Sequence, residues 1–193
     1  TGWMSRLESG AKPILTPAIR RTGMPLLFNA SEQRIAAAWA VKTVLVFQGS
    51  HGGSIAPPFH AYYLRDRDEP PEQVVVWFGS NYAGRDRDAA ASYVQRPLSV
   101  LTKGAEDDRV REFGYASFLA VGGLSFFVIG HQYGNRVEFR LSSMAAGLFT
   151  PLHPSTGAHV SWPPELMMDE QLVDVLFLQV EPPTIEALIH PAA

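Results

Sequence analysis

The stretch Tyr115–Ile129, YASFLAVGGLSFFVI, decides the fold class. Two runs rich in aromatic and branched residues, Tyr115 to Val121 and Leu124 to Ile129, flank Gly122-Gly123. A type I′ hairpin turn needs positive φ at both central positions, and glycine adopts it without steric cost. The stretch therefore reads as an antiparallel hairpin. Gln73 to Ser80, rich in valine and aromatics, reads as a further strand, as do Arg136 to Leu141 and Gly147 to Leu152.

Upstream of the hairpin the period changes. Trp3, Met4, Leu7, Ala11, Ile14, Leu15 and Ala18 recur at steps of three and four, the spacing of an amphipathic helix. Pro13 and Pro17 are expected to kink or segment it. Asn29 and Ser31 are N-cap candidates for a second helix, and Glu32 follows Asn29 at capping-box spacing. From Glu32 to about Phe47 that helix is apolar on nearly every face, as a buried central helix would be. Gln48-Gly49-Ser50-His51-Gly52-Gly53-Ser54 is expected to end it. Pro57 to Leu64 reads as a short helix, Arg65 to Pro71 as a polar loop, and Met167 to Leu178 as a last helix. Helices first, strands next and a helix last imply an α+β fold: N-terminal helices, one of them long and buried, packed on an antiparallel β-sheet, with a C-terminal helix. Residues 1–180 are expected to form a single domain and 181–193 a loose tail.

Hydrophobic residues make up 46% of the 193 and charged residues 18%, which provides for a core and excludes a disordered chain. A net charge of −3 excludes a uniformly basic nucleic-acid binder. The charge is uneven, however. From Thr1 to Lys42, six cations face two carboxylates, whereas Leu141 to Ala193 contains acids and no lysine or arginine. The absence of cysteine removes disulfides and thiol chemistry and suits a reducing compartment, so a cytoplasmic location is expected. No secretory leader opens the chain, and the longest apolar run, Ile35 to Phe47, is broken by Lys42 and too short to span a bilayer. The chain opens at Thr1 directly on a helical pattern, which reads as a piece of a longer protein.

Gly2-Trp3-Met4-Ser5-Arg6-Leu7-Glu8, followed by Ala11-Lys12-Pro13-Ile14-Leu15, and the later Ala37-Ala38-Trp39-Ala40-Val41-Lys42-Thr43 form two distinctive segments. Together they resemble a group of bacterial and phage proteins with an N-terminal HNH-type endonuclease module. Pro151-Leu152-His153-Pro154 and Trp162-Pro163-Pro164 are similar to that group's C-terminal part. The resemblance implies a cysteine-bearing, metal-binding nuclease finger upstream of Gly2. Its histidines, asparagine and divalent metal would lie outside this chain. No catalytic or metal-ligating residue can be carried over, and no cofactor is expected in this part. The chain then reads as the non-catalytic C-terminal domain of an HNH-endonuclease-like protein, supporting the finger and contacting DNA. The alternative is a structural or protein-interaction module of mobile-element origin.

Within that reading Arg6, Lys12, Arg20, Arg21 and Arg34 are candidate phosphate contacts, with ordinary solvated helix faces as the alternative. Trp3, Trp39, Trp77 and Trp162 are expected to build the core. His131 with Asn135 superficially resembles an HNH corner, but Gly134-Asn135 is also an ordinary turn. Glu138-Phe139-Arg140 resembles the acid-x-base strand of other metal nucleases, but arginine cannot serve as a base. His51, His60, His153 and His159 are expected in surface loops. Lys42 lies in the most apolar helix, where a lone ammonium is costly to bury. Glu8, the only acid on the first helix, is its expected partner, within about 4 Å.

Overall fold

The computed structural model describes residues 2–20, 25–50, 55–80, 91–102, 109–132, 137–141, 146–164 and 185–189. Among the described residues three helices precede most of the strands: α1 (Trp3–Ile19), α2 (Ala30–Ser50) and α3 (Pro58–Arg67), with the short strand β1 (Leu26–Phe28) between α1 and α2. The strands that follow are β2 (Val74–Ser80), β3 (Ala91–Thr102), β4 (Arg109–Val121), β5 (Leu124–His131), β6 (Val137–Leu141), β7 (Phe149–His153), β8 (Val160–Trp162) and β9 (Ile185–Ile189). A five-stranded antiparallel sheet in the order β3-β4-β5-β2-β7 forms the body, and β1 with β8 and β6 with β9 form separate two-stranded ladders. The fold is α+β, with the N-terminal helices packed on the sheet.

The expected hairpin is β4–β5, in register from Gly114 opposite His131 to Val121 opposite Leu124. Gly122 sits at φ +57°, and a Cβ there would lie 2.3 Å from the carbonyl oxygen of Ile19. Gly123 N–H donates to the same carbonyl at 3.1 Å. The turn thus closes the hairpin and also holds the C-terminus of α1, whose last carbonyls have no partner within the helix.

Alternation assigns the faces of the sheet. Val74, Val76 and Phe78 join Tyr115, Leu119, Phe126 and Val128 in a core shared with Leu7, Ala11, Leu15 and Ala18 of α1 and Ala37, Val41 and Val44 of α2. Trp77, Phe118, Phe127, Ile129 and Phe149 point the other way, into a second core with Phe139 and Leu148. All eight residues of β5 are buried. A strand covered on both faces gains from apolar side chains at every position, so its sequence shows no alternation.

Asn29 caps α2 in a reciprocal box: its side-chain oxygen accepts from Ser31 and Glu32 N–H at 2.9 and 3.0 Å, and Glu32 Oε2 accepts from Asn29 N–H at 2.9 Å. Four sequence expectations need correction. First, α1 is one helix through Pro13 and Pro17. Both prolines face away from the buried Leu7–Ala11–Leu15–Ala18 stripe, so water can serve the carbonyls they leave unbonded. Second, Gly123 does not share the positive φ of Gly122, so the β4–β5 turn is not the type I′ turn expected. The helix α2 ends at Ser50, inside the Gln48–Ser54 stretch expected to close it, and the buried Gln48 side chain there accepts from Ala56 N–H at 3.0 Å. Third, α3 runs through Arg65 and Arg67, cations that suit a helix C-terminus, and stops at Asp68 in the left-handed conformation (φ 55°). Fourth, the tail expected to be loose carries β9, whose Ile185–Ile189 pairs with Leu141–Val137. The helix expected over Met167 to Leu178 lies outside the described residues. His153-Pro154 and Trp162-Pro163, both within the C-terminal resemblance, are cis peptides.

Candidate nucleic-acid interface

The two segments that carry the resemblance meet between α1 and α2. Lys42 is buried (6% exposed), and its Nζ donates to Glu8 Oε1. Glu8 Oε2 accepts from Trp39 Nε1–H at 3.0 Å, and the ammonium lies 5.7 Å from the centre of the Trp39 ring. One carboxylate therefore serves two donors from α2. Burial pushes the Lys42 pKa down from its ordinary value. The side chain of Glu8 is 53% exposed, so its carboxylate keeps much of its water. The Glu8–Lys42 proximity follows from sequence, but the Trp39 contact was missed. The available signal was spacing, since Trp39 precedes Lys42 by three residues on the same helix face.

The candidate phosphate contacts fall into three groups. Lys12 and Arg20 flank a shallow concavity on the outer side of α1, lined by Ser9, Pro13, Thr16 and Pro17. Small residues between two long cations make that hollow. Lys12, Arg20 and Arg34 are exposed, and none has a carboxylate partner among the described residues. Arg6 is already engaged, with Nε and an Nη donating to the two Asp68 oxygens at 3.2 Å each. That pair ties α1 to the end of α3. Arg21 lies outside the described residues.

The tryptophans serve packing. Trp77 and Trp162 are buried, and Trp162 Nε1–H donates to the carbonyl of Gly79 at 3.2 Å. Trp3 and Trp39 pack partly buried against the helix-side core. Gln33 is a second residue that sequence reasoning missed. Fully buried, its amide donates to the carbonyls of Phe28 (2.9 Å) and Ala158 (2.6 Å) and accepts from Ser155 Oγ (2.8 Å). It ties the start of α2 to the β7–β8 connection.

His60 and His153 correct the surface-loop expectation: His60 is fully buried on α3 and His153 is half-buried at the end of β7, whereas His159 is exposed as expected. His131, not among those expected in loops, is buried at the end of β5. His51 and Asn135 lie outside the described residues. Burial lowers the pKa of His153 and takes that of His60 down to about 4. Glu138 and Arg140 stand on β6 opposite Leu188 and Glu186. Among the described residues no three His, Cys, Asp or Glu side chains converge to fit a metal centre. No helix among them is long and apolar enough to cross a membrane. No family model matches the chain, and neither the curated proteins nor the solved structures compared with it give a match.

Proposed function

We propose that the chain is the non-catalytic C-terminal domain of an HNH-endonuclease-like protein, and that α1 and α2 brace the nuclease finger and contact DNA phosphates. The observation that carries the reading is the outer face of α1. Lys12 and Arg20 stand there without acidic partners among the described residues, eight residues apart, or about 12 Å along the helix. At a rise of about 3.4 Å per nucleotide of one strand, that span reaches phosphates a few steps apart. Arg34, exposed on α2 and likewise without a carboxylate partner among the described residues, adds a third cation. The Glu8–Trp39–Lys42 cluster supports the same reading, because it joins both resembling segments into one rigid helix pair beside that face.

In this reading the divalent metal, histidines and hydrolytic chemistry belong to the finger. The described residues offer no metal-fitting cluster, and no catalytic step is assigned to them. Affinity is sequence-independent and salt-sensitive, because each phosphate contact releases a counterion. Titration of a labelled duplex at two salt concentrations tests it. Lys12→Glu with Arg20→Glu should abolish binding and leave the thermal transition unchanged. Binding that survives the double change would place the contacts elsewhere. The rival reading, a protein-interaction module, is favoured by Phe59 and Tyr62, exposed three residues apart on α3.

A further inference from the structure

Helix α3 buries two of its side chains, His60 and Leu64, one turn apart. The polar one is fully buried. His60 Nε2 lies 3.1 Å from the carbonyl oxygen of His131, and Nδ1 lies 3.3 Å from the Tyr115 hydroxyl. A carbonyl can only accept, so Nε2 carries the ring proton. Nδ1 is then a bare acceptor and the Tyr115 O–H donates to it. A single neutral tautomer satisfies both contacts and joins α3 to the middle of β4 and the end of β5.

A second proton on Nδ1 would set donor against donor. Tyr115 would have to turn its O–H away, and its hydroxyl has no second acceptor among the described residues. Nor can the phenol retreat easily. A Cβ at Gly130 would lie 2.4 Å from its ring, a measure of how closely the β5 backbone packs there. Among the described residues, the titratable groups facing His60 are Tyr115 from β4 and the His131 imidazole from β5, with Tyr93 of β3 beyond Tyr115. None is a carboxylate that would stabilise an imidazolium, and a charged His131 would oppose one.

We propose that α3 is an acid-released element: protonation of His60 undocks it from the middle of β4 and the end of β5 while the sheet and the α1–α2 pair stay folded. Besides its packing on α2, α3 is held by Leu64, its other buried side chain, and by the Arg6–Asp68 pair, which is solvent-exposed, where such pairs contribute little. Docked His60 is held neutral to about 4, against 6.5 for a free imidazole. By linkage, the docking equilibrium can fall by up to about 300-fold between neutral pH and pH 4 or below. Release would add Leu64 to the surface that already carries Phe59 and Tyr62.

Amide hydrogen exchange on the full chain, corrected for intrinsic rates, tests this between pH 7 and 4. Amides of Pro58–Arg67 should lose protection on acidification while those of β4 and β5 keep theirs. His60→Gln, uncharged at every pH and able to donate to the His131 carbonyl, should remove the pH dependence. Nitrogen-15 spectra of the wild-type imidazole should show the Nε2–H tautomer at neutral pH, titrating together with the opening. Protection unchanged to pH 4, an opening that persists in His60→Gln, or a docked His60 titrating near 6.5 would overturn the proposal. Should His60→Gln fail to fold, the wild-type titration alone decides.

Discussion

Glu8→Ala should cost more stability than Lys42→Met, although the two residues form one ion pair. The asymmetry comes from exposure: the Lys42 side chain is 8% exposed and that of Glu8 53%. Removing the carboxylate strands a buried ammonium and also takes the acceptor from Trp39 Nε1–H. Orphaned buried donors cost roughly 1–3 kcal/mol, more when charged, so about 2–3 kcal/mol is expected. Removing the ammonium leaves a carboxylate that water can reach and that still accepts from Trp39. Methionine fills the lysine's place, and the half-exposed pair itself contributes at most about 1 kcal/mol. For a chain of this length, 1 kcal/mol moves Tm by roughly 2–4 °C. Glu8→Ala should therefore lower Tm by about 4–12 °C, and Lys42→Met by no more than about 4 °C. Glu8→Gln, which keeps an acceptor oxygen, should fall between them, and adding Lys42→Met to Glu8→Ala should restore part of the loss. Urea melts followed by tryptophan fluorescence and circular dichroism read these differences. Equal costs, or a larger cost for Lys42→Met, would refute the view that burial of the ammonium controls the pair.

Gly122→Ala should destabilise by at least about 2 kcal/mol, because the left-handed backbone strains a Cβ and that Cβ meets the Ile19 carbonyl oxygen; a melt within 1 °C of wild type would contradict this. Gln33→Leu should cost about 1–3 kcal/mol, since the carbonyls of Phe28 and Ala158 lose their donor in a buried site; a neutral result in urea melts would mean that water replaces the amide. Global stability should fall from pH 6.5 towards 4, because the unfolded chain takes up the His60 proton first and the folded chain does so only near 4. The contribution is at most about 3 kcal/mol, and the difference between wild type and His60→Gln in urea melts at the two pH values measures it. Purified chain should not nick supercoiled plasmid in Mg²⁺ or Mn²⁺, and nicking lost on His131→Ala would place chemistry here after all.

The parts legible in the sequence were those written locally. Gly122-Gly123 announced the β4–β5 turn, Asn29 with Glu32 announced the start of α2, and a lysine inside an apolar helix asked for an acid that only Glu8 on α1 could supply. What escaped was written at long range. Nothing beside His60 indicates burial, because what buries it is the Tyr115 phenol and the His131 carbonyl, from strands far along the chain. Gln33 reads as a surface helix residue until the β7–β8 connection folds over it. The five residues of β9 follow Pro182-Pro183 near the end of the chain and show their strand character only through pairing with β6. The prolines of α1 misled for a related reason, since their effect depends on which side of the helix tertiary packing buries. Of the candidate interface, the cations were legible as a cluster. Which of them stay unpaired was not, because Asp68 reaches Arg6 across the fold.

The claim that α1 faces DNA is tested most directly by mapping where DNA protects the chain. A short duplex of arbitrary sequence, added at low salt, should reduce the reactivity of Lys12 towards an amine-modifying reagent and leave Lys42, buried against Glu8, unchanged. Protection should vanish as salt is raised. Unaltered reactivity of Lys12 under conditions where the duplex is demonstrably bound would contradict the account.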